Sequence, residues 1–145
     1  MARVLVADDN ADIRSALRDL LGAAGHDVLH AANGIEAVDL ALSRNPDLLL
    51  LDLMMPRADG MEVLRRLKAF DATRRLPVIV ITALRGQREM LDALECGVCS
   101  FITKPWQPGE VEGQVAWALQ AAAREKAGRP LPAAWAPIRG KLLIG

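Results

Sequence analysis

Short apolar runs alternate along this chain with longer stretches in which apolar residues recur at helical spacing. The apolar runs lie at residues 3–7, 27–31, 47–51, 78–82 and 99–103. Each run predicts a β-strand, because short apolar runs bounded by turn residues are typical of buried strands. A stretch with helical periodicity follows each run, and the last of these is expected to begin near Pro108 and to reach about Lys126. The pattern therefore predicts five strand–helix units.

The predicted strands are apolar throughout rather than alternately apolar and polar. The third run shows this best, with four consecutive leucines from Leu48 to Leu51. Such strands are buried on both faces, as in a parallel sheet that helices cover on each side. Right-handed crossovers then favour a doubly wound α/β fold of three layers. Asn10 is a candidate cap for the first helix, and Gly25 is a candidate stop.

Polar side chains stand where these strands end. Asp8 and Asp9 follow the first strand, Asp52 follows the third, Thr82 ends the fourth, and Lys104 follows the fifth. Ligand sites of such sheets lie beyond the carboxyl ends of the strands, so we expect these side chains to meet there. Neighbouring carboxylates repel by about 4 kcal/mol per close pair at an effective dielectric near 20, so a cation is expected among them. Oxygen ligands favour Mg²⁺, with Mn²⁺ as a substitute.

A divalent cation beside Asp52 also suits chemistry on that carboxylate. The cation would neutralise an incoming phosphoryl group, so that Asp52 could accept phosphate. Lys104 and the hydroxyl of Thr82 would then donate hydrogen bonds to phosphoryl oxygens. The Lys104–Pro105 pair allows a cis peptide bond, which would direct the lysine back into the site.

Composition excludes several classes of function. The chain has 145 residues, of which 18 are acidic and 18 basic, so its formal net charge is zero. This length is typical of one domain, and the balanced charge predicts neither nucleic-acid binding nor attraction to an anionic membrane. Because the apolar runs are too short to span a bilayer and no signal peptide is recognised, we expect a cytoplasmic protein. A domain is predicted over residues 1–126 and a Pro-rich tail over residues 127–145.

The residues at the strand ends resemble the receiver domain of bacterial two-component response regulators, the fold typified by the chemotaxis regulator. The resemblance covers residues 3–125. It rests on the Asp8–Asp9 pair, the segment LLLLDLMMPRADG around Asp52, the ITA at the fourth strand and the FITKP around Lys104. It implies a flavodoxin-like (βα)5 three-layer sandwich with a five-stranded parallel sheet in the order 2-1-3-4-5.

The resemblance also implies a role for each matching carboxylate. Asp52 matches the phosphoacceptor, which takes a phosphoryl group from a histidine kinase or a histidine phosphotransfer protein. Asp8 and Asp9 match the acids that bind Mg²⁺ together with Asp52. Met54 matches the position whose backbone carbonyl completes the metal shell.

Three further residues match the parts of the family that sense the phosphate. Lys104 matches the site lysine, Thr82 the switch hydroxyl, and Phe101 the aromatic residue whose rotamer follows phosphorylation. The surface that responds would be the fourth helix, the fifth strand and the last helix. We expect it to bind a downstream protein partner or a second copy of the chain, without direct contact to nucleic acid, because no DNA-binding output domain is recognised.

Three apolar residues are assigned to this partner surface: Leu91, Trp106 and Trp117. Trp117 lies about 200° from Val115 on a helical wheel, so it is expected to point outward from the last helix. An exposed tryptophan is a frequent anchor for a protein partner. Coverage of Trp117 by the C-terminal tail is the alternative.

Two apolar residues depart from the commonest pattern of the family. Met54 stands two residues after Asp52, and Leu84 stands two residues after Thr82. Family members that hydrolyse their phosphate fast often carry polar groups there that can orient water. We therefore expect slow self-dephosphorylation.

Two other functions for the domain, and three roles for the tail, stand as alternatives. A phosphatase with an aspartyl-phosphate intermediate needs a second acid where this chain has Met54. A degenerate receiver that only binds partners is disfavoured, because every site residue is present. The tail, which contains Trp135, is a linker remnant, a docking segment or a strap across its own domain.

Overall fold

The structure is a computed structural model that describes residues 2–55, 59–83 and 86–128. Within these residues five strands alternate with five helices, which confirms the predicted strand–helix units. The elements are β1 (Arg3–Ala7), α1 (Ala11–Ala23), β2 (Asp27–Ala31), α2 (Gly34–Arg44), β3 (Leu48–Leu51), α3 (Gly60–Ala69), β4 (Val78–Thr82), α4 (Gln87–Glu95), β5 (Ser100–Thr103) and α5 (Glu110–Lys126).

The strands form one parallel sheet in the order β2-β1-β3-β4-β5. The predicted flavodoxin-like fold and its strand order are thus confirmed. β3 lies in the middle of the sheet, and its four leucines are fully buried. None of the described helices is long and apolar enough to span a bilayer.

Side chains of β3 alternate between two hydrophobic cores, one on each face of the sheet. Leu49 and Leu51 pack in a core with residues of α2, α3 and α4, whereas Leu48 and Leu50 pack in a second core with α1 and α5. Successive side chains of a strand point to opposite faces, so a strand of leucines alone supplies both cores. This explains why an uninterrupted apolar run, rather than an alternating one, forms the central strand.

Polar side chains fix where the helices begin. The Asn10 side chain caps α1 by accepting hydrogen bonds from the backbone N–H groups of Asp12 at 2.9 Å and Ile13 at 3.1 Å. Asn33 and Asp59 cap α2 and α3 in the same way. Each cap satisfies N–H groups that have no partner within the helix. The predicted cap at Asn10 is confirmed.

Glycines in the left-handed conformation adjust the element bounds. Gly25, with φ of 93°, lies two residues after the end of α1 at Ala23, where the sequence predicts that the helix stops. Gly109, with φ of 81°, directly precedes α5. The helix therefore begins at Glu110, two residues later than the start predicted near Pro108. Two strands, β3 and β5, each begin one residue later than predicted.

Gly60 lets α3 approach the segment that carries Asp52. A Cβ atom at this position would lie 2.5 Å from the Cα of Leu53 and 2.9 Å from the backbone oxygen of Asp52. Both are backbone atoms, so neither can turn away as a side chain could. The close approach also allows the Gly60 N–H to donate to the Leu53 carbonyl at 3.1 Å.

Replacing Gly60 by alanine should therefore destabilise the protein. We expect Gly60→Ala to lower the free energy of unfolding by about 1–3 kcal/mol, because the backbone must move to admit the methyl group. Urea-induced unfolding followed by circular dichroism measures the change.

Gly22 offers a matched control within α1. A Cβ at Gly22 meets no atom within 4 Å, so Gly22→Ala should stabilise the protein by about 0.5–1 kcal/mol. An unchanged unfolding midpoint in Gly60→Ala would contradict the tight contact inferred at Gly60.

Candidate functional site

The carboxyl ends of four strands bring the predicted site residues to one edge of the sheet. Asp8 and Asp52 follow β1 and β3, which pair in register through Ala7 and Leu51. The ladder continues past the strands, since the Asp52 N–H donates to the Ala7 carbonyl at 3.0 Å. Backbone hydrogen bonds of the sheet thus hold the two acids side by side, as the sequence predicts.

Asp52 is surrounded by hydrogen-bond donors. One carboxylate oxygen, Oδ1, accepts from the Thr82 hydroxyl at 2.9 Å and from the Met54 N–H at 2.9 Å. The other, Oδ2, accepts from the Lys104 ammonium at 2.9 Å. Only 5% of the Asp52 surface is exposed, so these donors replace most of the water that a free carboxylate would have.

The Lys104 ammonium bridges two carboxylates. It lies 2.5 Å from Asp8 Oδ2 and 2.9 Å from Asp52 Oδ2, and only 17% of its side chain is exposed. Burial alone would lower the pKa of Lys104, but hydrogen bonds and charges from Asp8 and Asp52 outweigh it and raise the pKa above its ordinary value. The peptide bond from Lys104 to Pro105 is cis, as the sequence allows.

Asp8 is the most enclosed acid of the site. It is fully buried, and its Oδ1 accepts from the Asn10 N–H at 2.9 Å. Burial raises the pKa of Asp8, and the hydrogen bonds from Lys104 and Asn10 oppose this shift only in part. Ionised Asp8 is therefore held in the site at a cost.

Arg14 supports the turn between β1 and α1, a role that the sequence analysis did not find. Its Nη1 donates to the backbone carbonyl of Asp8 at 2.6 Å. Side chains of a helix lean toward its N-terminus, so a long cation in the first turns of α1 can reach back to the end of β1. That position, six residues after Asp8, is the signal that could have identified it.

Three carboxylates could share a metal ion at this edge. Asp8, Asp9 and Asp52 each offer an oxygen, and these oxygens lie within 4.8 Å of one another. Asp9 is exposed, whereas the other two are buried. A set of carboxylate oxygens without a thiolate or imidazole fits a hard cation such as Mg²⁺ or Mn²⁺. The donor set therefore fits the predicted metal.

Phe101 and Thr82 lie on the same face of the sheet. Phe101 is opposite Val80 in the pairing of β4 with β5, and the two pack in the same core. Thr82 is two residues after Val80, so its side chain points to that same face. The structure thus brings the predicted switch pair onto neighbouring strands.

The residues assigned to the partner surface differ in their exposure. Leu91 on α4 is 50% exposed, and Trp106 is half-buried against the core between the sheet, α1 and α5. Trp117 is half-buried as well, so it is less exposed than the helical wheel suggests, and its role in partner binding stays a prediction. A helical wheel gives only the direction of the Cα–Cβ bond, and a side chain as large as tryptophan can fold back onto neighbouring residues.

Met54 is the one of the two expected apolar residues that lies within the described part of the chain. Met54 is 57% exposed, and its backbone N–H donates to Asp52 Oδ1. Leu84 lies outside the described residues, as does Trp135 of the tail.

Comparison with known proteins identifies the family. A sequence profile described as the response regulator receiver domain matches residues 4–116. The chain belongs to the response regulator receiver family. It is thus a domain of two-component signalling, a signalling switch, and receiver domains interact with histidine kinases. The family generally uses Mg²⁺, which agrees with the three clustered acids.

Curated relatives of this receiver domain are longer proteins. The probable transcriptional regulator ycf27 of Porphyridium aerugineum is 35% identical over 130 residues, which are 90% of this chain and 53% of that protein. The phosphate regulon transcriptional regulatory protein PhoB of Pseudomonas aeruginosa is 39% identical over 108 residues, or 74% of this chain and 47% of that protein. The chain spans about half the length of these relatives.

Solved receiver domains share the fold over nearly their whole length. The receiver domain of the Francisella response regulator 1452 has a TM-score of 0.77 at 30% identity, covering 83% of this chain and 98% of the other. The chemotaxis response regulator CheY4 of Vibrio cholerae has a TM-score of 0.76 at 26% identity, covering 80% of this chain and 97% of the other. The described fold is that of these receiver domains.

The raised pKa of Asp8 predicts a gain in stability when its charge is removed. In EDTA at neutral pH, Asp8→Asn should raise the free energy of unfolding by about 1 kcal/mol, because the folded state no longer holds a buried charge. A raised folded-state pKa means that the native protein binds the proton more tightly than the unfolded chain. The gain should therefore shrink as the pH falls through that pKa, where the wild-type carboxyl is itself protonated.

Urea-induced unfolding at a series of pH values measures this difference. Asp39→Asn is the matched control, because Asp39 is exposed on α2, and it should change the stability little at any pH. Destabilisation by Asp8→Asn at neutral pH would show that the ion pair with Lys104 outweighs burial, contrary to our assignment.

Proposed function

We propose that this receiver domain accepts a phosphoryl group on Asp52 from the phosphohistidine of a histidine kinase or a histidine phosphotransfer protein. The observation that carries the proposal is the set of donors around one buried carboxylate. Thr82, Lys104 and the backbone of Met54 all donate to Asp52, and two further acids lie beside it. The site thus combines a nucleophile with the groups that a transferred phosphoryl oxygen would need.

The transfer is a displacement at phosphorus. A carboxylate oxygen of Asp52 attacks the phosphorus atom, a new P–O bond forms, and the P–N bond of the phosphohistidine breaks. The electron pair of that bond returns to the imidazole, which leaves as the neutral ring after taking up a proton. Lys104 and Thr82, already within hydrogen-bond distance of Asp52, donate to oxygens of the phosphoryl group.

A divalent cation belongs to the same proposal. Asp8, Asp9 and Asp52, together with the backbone carbonyl of Met54, would hold Mg²⁺ or, as a substitute, Mn²⁺. The bound ion supplies positive charge that offsets the charge of the phosphoryl group. Lys104 contributes one positive charge against three carboxylates, so two negative charges are left for a divalent cation to offset.

The switch follows from the partners of Thr82. In the described state its hydroxyl donates to Asp52 Oδ1, and a phosphoryl group on Asp52 would offer that hydroxyl a new acceptor. Phe101, on the same face of the next strand, then changes its packing. If the two arrangements differ by a few kcal/mol, the new contacts change which one is populated.

The surface that reports this change consists of α4, β5 and α5, with Leu91, Trp106 and Trp117 as its apolar residues. We infer that it binds a protein partner or a second copy of the chain in the cytoplasm. The names of two relatives describe transcriptional regulation, but the chain spans only about half of each. The proposal therefore includes no direct contact between residues 1–126 and nucleic acid.

Phosphorylation can be tested directly with a small phosphodonor. Incubation with acetyl phosphate and Mg²⁺ should add the mass of one phosphoryl group, measured by intact-protein mass spectrometry. Asp52→Asn should abolish the gain, because the acceptor oxygen is lost, and EDTA should reduce it strongly.

Asp39→Asn serves as the control and should gain mass like the wild type, since Asp39 lies exposed on α2. No gain in the wild type, or a gain retained in Asp52→Asn, would overturn Asp52 as the acceptor. The first result would favour a domain that only binds partners.

Slow loss of the phosphoryl group is the second part of the proposal. Hydrolysis requires a water molecule to attack phosphorus in line with the bond to Asp52, and a polar side chain nearby can orient it. Met54, whose backbone contacts Asp52, carries an exposed thioether in place of a polar group, and a thioether can neither donate a hydrogen bond nor accept a strong one. Leu84 is assigned the same effect from its position in the sequence.

We expect the phosphorylated protein to persist for minutes or longer, and Met54→Asn to shorten its lifetime by roughly tenfold, a modest share of what positioned polar groups contribute to proton transfer. Decay of the phosphoprotein after removal of the donor measures the lifetime. Ile35→Asn is the matched control, because Ile35 is also apolar and 47% exposed but lies on α2. A wild-type lifetime of seconds would contradict the proposal.

A further inference from the structure

The peptide unit between Asp8 and Asp9 joins two of the three acids that could share a metal ion. The sheet holds this segment up to the N–H of Asp8, which donates to the Ala31 carbonyl of β2 at 3.1 Å. The carbonyl of Asp8 accepts from Nη1 of Arg14 at 2.6 Å. Arg14 thus binds the chain at the point where it leaves the sheet, between the two acids.

This contact fixes more than one oxygen atom, because a peptide unit is planar. The carbonyl of Asp8 and the N–H of Asp9 share one plane, so a guanidinium that holds the carbonyl also sets the direction in which the chain continues to Asp9. The Asp8 carboxylate has anchors of its own, the Lys104 ammonium and the Asn10 N–H. Asp9 is the exposed acid of the three, so its backbone direction matters most for where its carboxylate lies.

Arg14 reaches this peptide from a rigid element. It belongs to α1, whose first turn is capped by the Asn10 side chain, and its own N–H donates to the Asn10 carbonyl at 3.1 Å. The Asn10 N–H in turn donates to Asp8 Oδ1 at 2.9 Å. Three hydrogen bonds therefore close a ring through Asp8, Asn10 and Arg14. Since the helix and the turn are tied together in this way, the half-buried Arg14 side chain is a fixed support for the Asp8 carbonyl.

We propose that Arg14 is a positioning residue for the metal site. By holding the Asp8 carbonyl, it directs the Asp9 carboxylate toward the oxygens of the other two acids. The inference rests on the metal-binding set of the proposed function. It assigns Arg14 no contact with the metal ion, because a guanidinium has donors but no acceptor. Residues that orient metal ligands from outside typically cost about 10–100-fold in metal affinity when they are removed.

The charge of Arg14 acts in the opposite direction to its hydrogen bond. A positive side chain near three carboxylates repels a cation that they would bind, so loss of the charge alone should strengthen metal binding. Loss of the hydrogen bond frees the peptide between Asp8 and Asp9 and should weaken metal binding. The sign of the change in affinity therefore separates a positioning residue from a charge that is merely nearby.

Calorimetric titration of the full chain with Mg²⁺ tests the proposal. We expect Arg14→Gln, which removes the guanidinium and its charge, to raise the dissociation constant of Mg²⁺ by about tenfold. Arg14→Met keeps the aliphatic stem and a high helix propensity but has no charge and no donor, so it should give the same result. Circular dichroism checks that each variant keeps its helices, and either variant alone decides the question.

Arg18→Gln is the matched control, because Arg18 lies one turn further along α1 and pairs with Asp19 rather than with the site. It removes the same charge and should leave the dissociation constant unchanged or slightly lower. Unchanged or tighter Mg²⁺ binding in the Arg14 variants would overturn the positioning role and leave the metal-binding set intact. A wild-type chain that binds no Mg²⁺ would instead overturn the metal-binding set of the proposed function, and this inference with it.

A double-mutant cycle with Asp9→Asn tests the route through Asp9. If Arg14 acts by directing the Asp9 carboxylate, its loss matters little once that carboxylate is gone. Arg14→Gln should therefore weaken Mg²⁺ binding far less in the Asp9→Asn background than in the wild type, because effects of coupled residues do not add. An equal loss of affinity in both backgrounds would overturn the assignment of Arg14 to Asp9.

Discussion

The ion pairs of Lys104 with Asp8 and Asp52 are the interaction on which the site depends. The ends of β1 and β3 are adjacent in the sheet, so their two acids cannot separate without breaking the ladder between Ala7 and Asp52. Like charges about 4 Å apart repel by about 4 kcal/mol at an effective dielectric near 20. The ammonium from the far edge strand offsets part of this repulsion. The pKa of Asp8 is nevertheless raised, chiefly because the carboxyl is buried and only to a lesser degree because of the charge on Asp52.

The parallel sheet separates the chain into two chemically different edges. Strands of five residues span about 16 Å, so the acids at one end do not interact directly with side chains at the other. Polar residues collect at the carboxyl edge, where the turns into the helices leave backbone N–H groups such as that of Asn10 free to bind Asp8. At the amino edge the Asp47 carboxylate accepts a hydrogen bond from the Arg3 N–H at 2.8 Å, so polar groups there serve the start of a strand rather than a cluster of acids.

Much of this arrangement could be predicted from the sequence because it depends on periodicity and on strand ends. Four leucines followed by Asp52 indicate a buried central strand and place the acid at the edge of the sheet. Features set by side-chain rotamers could not be predicted in this way. The contact of Arg14 with the Asp8 carbonyl and the half-burial of Trp117 depend on how long side chains fold over neighbouring elements, which spacing along the chain does not record.

The hydrogen bonds of Asp52 also constrain how the switch can work. Thr82 and Lys104 already bind its two oxygens in the described state, so phosphorylation would exchange acceptors for these donors rather than create donors from nothing. An exchange costs less free energy than ordering a free side chain, because both groups have already lost their rotamer freedom. A domain whose site is pre-assembled in this manner can respond to a single covalent change with small movements of Thr82 and Phe101.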